Sequence, residues 1–158
     1  MATGGMSDKD RLIEAVAIRN NCPVTESCGG CSYAGRTYLK QAVSKEKRVK
    51  RLISPFCEVL PIHLCDRPLY YRNKVHSQFK RLKNGRVIVG PYEAGSHKIV
   101  EVDSCLIENQ KASEIIRDCA KIAERLNINI YDEVKRRGDL RRILVRTADA
   151  TGEIMVVL

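Results

Sequence analysis

The sequence predicts an α+β fold: a small antiparallel sheet with two main helices, preceded by a cysteine-rich loop. Three observations carry that prediction. Tyr71 to Lys80 alternates side-chain character at the period of a strand, and an Asn-Gly turn and a second apolar run follow it. Two longer segments repeat apolar residues at three- and four-residue steps, the spacing of helices. Three cysteines, Cys22, Cys28 and Cys31, stand within ten residues of one another, with Cys105 far downstream.

The 158 residues suffice for one domain with a real core, and 44% hydrophobic with 30% charged residues is an ordinary soluble composition. No apolar run is long enough to span a bilayer, so neither a membrane partner nor any site but the cytoplasm is expected. The net charge of +9 is less ordinary and favours a polyanionic partner, nucleic acid first. Tryptophan is absent and only two Phe and six Tyr are present, so extensive base-stacking surfaces are not expected.

In chain order, residues 1–20 form an N-terminal extension with a small-residue lead, Met1 to Met6, and a short helix capped by Ser7 that carries Leu12, Ile13 and Val16. Residues 21–35 form the cysteine loop, where Pro23 and the Gly29-Gly30 pair exclude regular structure. From Tyr38 to Ile53 the apolar residues Leu39, Ala42, Val43, Val49, Leu52 and Ile53 mark one helix face. Lys40, Lys45, Lys47, Arg48, Lys50 and Arg51 crowd the rest, with Glu46 the only acid among them. Such a face reads either as a solvated helix surface or as a phosphate-binding one, and the mutual repulsion of its charges favours phosphate.

Ser54-Pro55 stops this helix, and Pro61 and Pro68 mark an irregular segment. In the strand that follows, Val75, Ser77 and Phe79 share one face, while Arg72, Lys74, His76, Gln78 and Lys80 share the other. Lys83-Asn84-Gly85-Arg86 predicts a type I′ hairpin turn into Val87-Ile88-Val89. Ile99 to Val102 is expected as a third strand, reached through Glu93 to His97. A second helix, Gln110 to Leu126, is capped by Asn109 and carries a stripe of Ala112, Ile115, Ile116, Cys119, Ile122, Ala123 and Leu126. Cys119 is therefore a core thiol, and Cys57 and Cys65 are ordinary thiols without motif spacing. The strands Leu140 to Arg146 and Glu153 to Leu158 close the chain. The last is so apolar that it reads as covered on both faces, which makes the chain a truncated part of a larger multidomain protein.

The cysteines admit three readings. An odd count of seven and the lack of a signal-peptide-like start disfavour disulfides. Zinc suits the Cys-x2-Cys half-site, but Cys105 has no close cysteine neighbour to complete a second pair. Three clustered thiols with one remote thiol suit an iron–sulfur cluster better, with zinc left open.

Several stretches in fixed order resemble the iron–sulfur-containing RNA uracil-5-methyltransferases that act on uridines of 23S ribosomal RNA. They are Cys22-x5-Cys28-Gly29-Gly30-Cys31, Tyr71-Arg72-Asn73-Lys74, Gly90-Pro91-Tyr92 leading to Ser96-His97-Lys98-Ile99-Val100, Val102-Asp103-Ser104-Cys105, and Leu140-Arg141-Arg142 through Thr151-Gly152-Glu153. The resemblance implies that Cys22, Cys28, Cys31 and Cys105 hold a 4Fe–4S cluster and that Arg72 faces an RNA groove. It also makes residues 36–158 an incomplete central RNA-recognition domain. Asn73 and Lys74 lie beside Arg72, while strand alternation adds His76 and Lys80, and the basic helix adds Lys47, Arg48 and Lys50.

The sequence departs from that family where catalysis is expected. Its ten glycines form no G-x-G-type fingerprint for S-adenosylmethionine, and no cysteine stands in the context of the family's nucleophile. The expected role is therefore RNA binding with a structural cluster, without methyl transfer by this chain alone. The alternative is a stand-alone basic zinc or iron–sulfur module that binds RNA without catalysis.

Overall fold

The computed structural model describes residues 22–33 and 36–158; the helix expected after Ser7 lies outside them. Backbone packing divides these residues into two compact units. One comprises Cys22 and Pro23 with Tyr33–Pro68, the other Val24–Ser32 with Leu69–Leu158. Among the described residues no helix is long and apolar enough to cross a membrane.

The first unit is built on helix α1, Tyr38–Ile53. Thr37 caps it by accepting from the Lys40 N–H, and Ser54, the residue before Pro55, ends it with its N–H on the Lys50 carbonyl. The segment after the helix returns to it: the Ile62 N–H donates to Glu46 at 3.3 Å and the Cys65 N–H to the Tyr38 hydroxyl at 2.6 Å. The apolar face predicted for α1 forms but is not buried. Only Ala42 is covered, while Leu39, Val43, Val49, Leu52 and Ile53 remain exposed. No other helix or strand of the described residues belongs to this unit, so the stripe has no partner within it.

The second unit is a four-stranded antiparallel sheet of order β2-β1-β3-β4 with one helix against it. Its strands are β1 (Lys74–Arg81), β2 (Val87–Gly90), β3 (Arg142–Thr147) and β4 (Ile154–Val157), and the helix is α2 (Gln110–Arg125). Alternation decides which side chains meet α2. The register pairs Val75 with Val145, Ser77 with Ile143 and Phe79 with Val89, and all six are buried. Against them α2 places Ala112, Ile116, Ala120 and Ala123, whose small side chains let helix and sheet approach closely. Asn109 caps α2 through the Lys111 and Ala112 N–H groups, as expected.

Four local expectations are corrected. Ile122 and Leu126 are exposed because the buried face of α2 is turned toward Ser113 and Ala120. The hairpin is not type I′: Gly85 has φ 87°, but Asn84 is not among the positive-φ residues. The Leu82 N–H donates to the Arg86 carbonyl and the Gly85 N–H to the Leu82 carbonyl, which makes a three-residue loop ending in a left-handed glycine. Ile99 to Val102 is no sheet strand; Ile99 bridges Tyr92 in a short doubled-back loop, with Val100 N–H on the Pro91 carbonyl. Finally, β4 is not covered on both faces. It lies at the sheet edge, pairs with β3, and has all four residues exposed.

Candidate nucleic-acid interface and thiol loop

The face of the sheet turned away from α2 is cationic. Strand β1 presents Lys74, His76 and Lys80 there, as alternation predicts, and all three are exposed. The sequence alone did not identify their neighbours. The register sets Arg146 opposite Lys74 and Arg142 opposite Gln78, so β3 adds two exposed guanidinium groups to the same face. The signal was present in the Arg142-x-Leu144-x-Arg146 alternation, but it needed the pairing of β1 with β3, two segments far apart in the chain. Burial, then the charges of Arg142 and Lys74, hold His76 below its ordinary pKa. A phosphate brought to this face would reverse the latter effect.

Arg72 falls outside the ladder of β1 and does not share that face's geometry. Its backbone bridges Glu108, and its guanidinium donates to the Gly30 carbonyl at 3.3 Å. Arg72 thus ties the cysteine loop to the segment leading into α2. Asn73 is exposed, with its carbonyl accepting from the Thr147 N–H at 2.9 Å. In the first unit Lys47, Arg48 and Lys50 are all exposed on α1. Lys50 is already paired with Glu46 at 2.6 Å, and that hydrogen bond, with the one from Ile62, lowers the Glu46 pKa.

The thiol loop is seated by backbone pairing. Cys28 bridges Glu93, the Gly29 N–H donates to the Tyr92 carbonyl at 3.3 Å, and the Ala94 N–H donates to the Ser27 carbonyl at 3.2 Å. A side chain at Gly29 would press on the Ala94 backbone at 3.2 Å, so the pair Gly29-Gly30 permits this close seat. The Gly30 N–H donates to the Cys28 sulfur at 3.3 Å. Cys28, Cys31 and Cys105 belong to this unit, whereas Cys22 belongs to the other.

Cys105 is half-buried. Burial pushes its thiol up to about 11, the Glu108 carboxylate adds to this, and Cys31 is near enough to add more. Glu108 is itself raised by burial, against the opposing hydrogen bond from Ser113 and the charge of Arg72. These soft donors and their backbone N–H partner suit a thiophilic metal chemically. Among the described residues, however, no three His, Cys, Asp or Glu side chains form a group that could hold a metal ion. Cys119 packs partly buried against the core, while Cys57 and Cys65 are exposed.

Fold and site together define an α+β module with a cationic sheet face beside a thiol-bearing loop. No family model matches the chain. Among curated proteins it is 39% identical over 141 residues to an uncharacterized RNA methyltransferase of Clostridium tetani, a match covering 87% of this chain and 30% of that protein. A second, from Halalkalibacterium halodurans, is 34% identical over 142 residues, covering 87% and 31%. Among solved structures, a Pyrococcus abyssi tRNA (uracil-54, C5)-methyltransferase in complex with S-adenosyl-L-homocysteine matches with a TM-score of 0.64 and 26% identity. That match covers 85% of this chain and 31% of the other. Over the stretch it shares with them, the chain is similar to these RNA methyltransferases. It spans about 30% of the length of the curated relatives it matches.

Proposed function

We propose that this chain is the RNA-binding, cluster-bearing portion of an S-adenosylmethionine-dependent RNA (uracil-C5-)-methyltransferase of the cytoplasm, acting on 23S ribosomal RNA. The observation that carries the RNA-binding reading is the cationic sheet face, where Lys74, His76, Lys80, Arg142 and Arg146 stand on paired strands opposite the buried core face. The sheet fixes the spacing of these charges, so they meet a polyanion without first being ordered. Asn73 and the α1 cations Lys47, Arg48 and Lys50 are assigned to the same partner. Arg72 serves the RNA surface through its hold on Gly30, bracing the loop beside it.

Cys22, Cys28, Cys31 and Cys105 are assigned as the ligands of a 4Fe–4S cluster. The Gly30 N–H on the Cys28 sulfur supports this. When bound, the cluster would supply a structural cross-link, joining the loop to the segment that enters α2. Protein purified without oxygen is expected to contain iron and inorganic sulfide, and to lose both in Cys105→Ser. Zinc, or no metal, would refute the assignment.

Methyl transfer needs a cysteine that attacks C6 of the uracil and a bound methyl donor, and neither is assigned to any residue here. The expected behaviour of the chain by itself is RNA binding without methylation. Transfer RNA is the second reading of the substrate, favoured by the Pyrococcus neighbour. A competition assay separates these possibilities: a labelled 23S ribosomal RNA fragment is displaced by unlabelled fragment, by transfer RNA, or by heparin. Preferential displacement by the ribosomal fragment is expected. Better displacement by transfer RNA would move the substrate, and equal displacement by heparin would reduce the site to a nonspecific cationic patch.

A further inference from the structure

The second unit carries a group of aromatic and cationic side chains that the reading above does not use. The Tyr92 and His97 rings lie 5.2 Å apart at a tilt of 53°. The Arg141 guanidinium lies over the Tyr131 ring at 4.8 Å. One carboxylate joins the two pairs: Glu133 accepts from the Tyr92 hydroxyl at 2.8 Å and from Arg141 at 3.5 Å on one oxygen, and meets His97 Nδ1 at 3.0 Å on the other. These contacts fix three long side chains at the surface, where the His97 side chain is 80% exposed. Side chains held this way lose little freedom when a further planar group is laid on them.

Its position links it to the cationic face. Arg141 immediately precedes Arg142 at the start of β3, and its carbonyl accepts from the N–H of Phe79, the residue before Lys80, at 3.0 Å. A strand whose phosphates follow Lys80 and Arg142 would therefore bring its bases to these rings. Planar aromatic and guanidinium surfaces beside a phosphate track are how proteins hold unpaired bases.

We propose that Tyr92, His97, Tyr131 and Arg141 form a platform on which unpaired nucleobases of the RNA stack, with Glu133 holding the platform together. This rests on the RNA-binding reading and extends it from phosphates to bases. It makes the RNA partner single-stranded or looped at this point, since duplex bases present no free face.

The test uses the whole chain with two single-stranded oligoribonucleotides of equal length, one complete and one carrying abasic sites at its centre. Both have the same phosphates. The intact chain should bind the complete strand about ten-fold more tightly for each base stacked. 2-Aminopurine placed at the centre should lose fluorescence on binding. Tyr131→Leu and His97→Ala should each reduce the preference for the complete strand and leave the salt dependence of binding unchanged, whereas Tyr131→Phe should keep both. Arg141→Lys, which keeps the charge and removes the planar group, gives the same readout should Tyr131→Leu fail to fold. Equal affinity for the two strands in the intact chain, or a full preference in Tyr131→Leu and Arg141→Lys, overturns the platform while leaving RNA binding intact. Failure to bind either strand overturns the RNA-binding reading, and the platform with it.

Discussion

Individual side chains show where this structure departs from easy packing. Thr147 is buried at the end of β3, and its hydroxyl is the one buried side-chain polar atom without a partner among the described residues. Such a hydroxyl is a desolvation cost with no hydrogen bond to offset it. Thr147→Val keeps the branched shape, and we expect it to raise stability by about 1 kcal/mol in urea unfolding. A loss of stability would mean the hydroxyl has a partner. His76 gives a pH prediction whose sign follows from its lowered pKa. The unfolded chain takes up the His76 proton first, near an ordinary value of about 6.5, so its contribution is intact above that pH and declines as pH falls below it. His76→Gln should blunt the fall in urea midpoint between neutral and mildly acid pH, and an unaltered fall would discount this residue. RNA phosphates should raise the same pKa, so binding should take up a proton, detectable by calorimetry in buffers of different ionisation heat.

The elements differ in how far the sequence predicted them. Helix α1 has the bounds its periodicity predicts, because Thr37 and Ser54-Pro55 punctuate it locally. The same pattern could not show that its apolar face stays exposed, since burial depends on partners that periodicity does not name. Alternation correctly assigned Val75, Ser77 and Phe79 to the core face and Lys74, His76 and Lys80 to the other. It could not find Arg142 and Arg146, whose place depends on strand order, nor the turn of Arg72 toward Gly30, which depends on where the ladder begins. The scarcity of aromatic residues suggested little base stacking, yet four planar groups from three separate segments gather around Glu133. Two predictions belong at this scale. Ile143, on β3, is fully buried in the core, and Ile143→Ala should cost roughly 2–5 kcal/mol by chemical denaturation. A smaller loss would indicate that the core collapses around the gap. Neutralising Lys47, Arg48 and Lys50 together should lower the slope of log affinity against log salt by the equivalent of roughly two phosphates rather than three, because Lys50 is already engaged by Glu46. An unchanged slope would return α1 to a merely solvated helix.

At the scale of the whole molecule, the net charge of +9 is shared between α1 of the first unit and the second unit, where Lys74, Lys80, Arg142 and Arg146 stand on the sheet face that α2 leaves uncovered. The thiol loop, the Arg72 strut and the aromatic group belong to the same unit. A rigid sheet thus carries the features proposed to grip RNA, while its helix-covered face supplies the stability that keeps them in register. The most direct measurement is the salt dependence of RNA affinity for the intact chain and for a Lys74→Ala/Arg142→Ala/Arg146→Ala variant with an unaltered melting transition. The account predicts a slope about 2 units shallower for the variant, at roughly 0.7 for each single-strand phosphate no longer neutralised, together with weaker binding to every RNA tested. Equal slopes and equal affinities for the two proteins would contradict it.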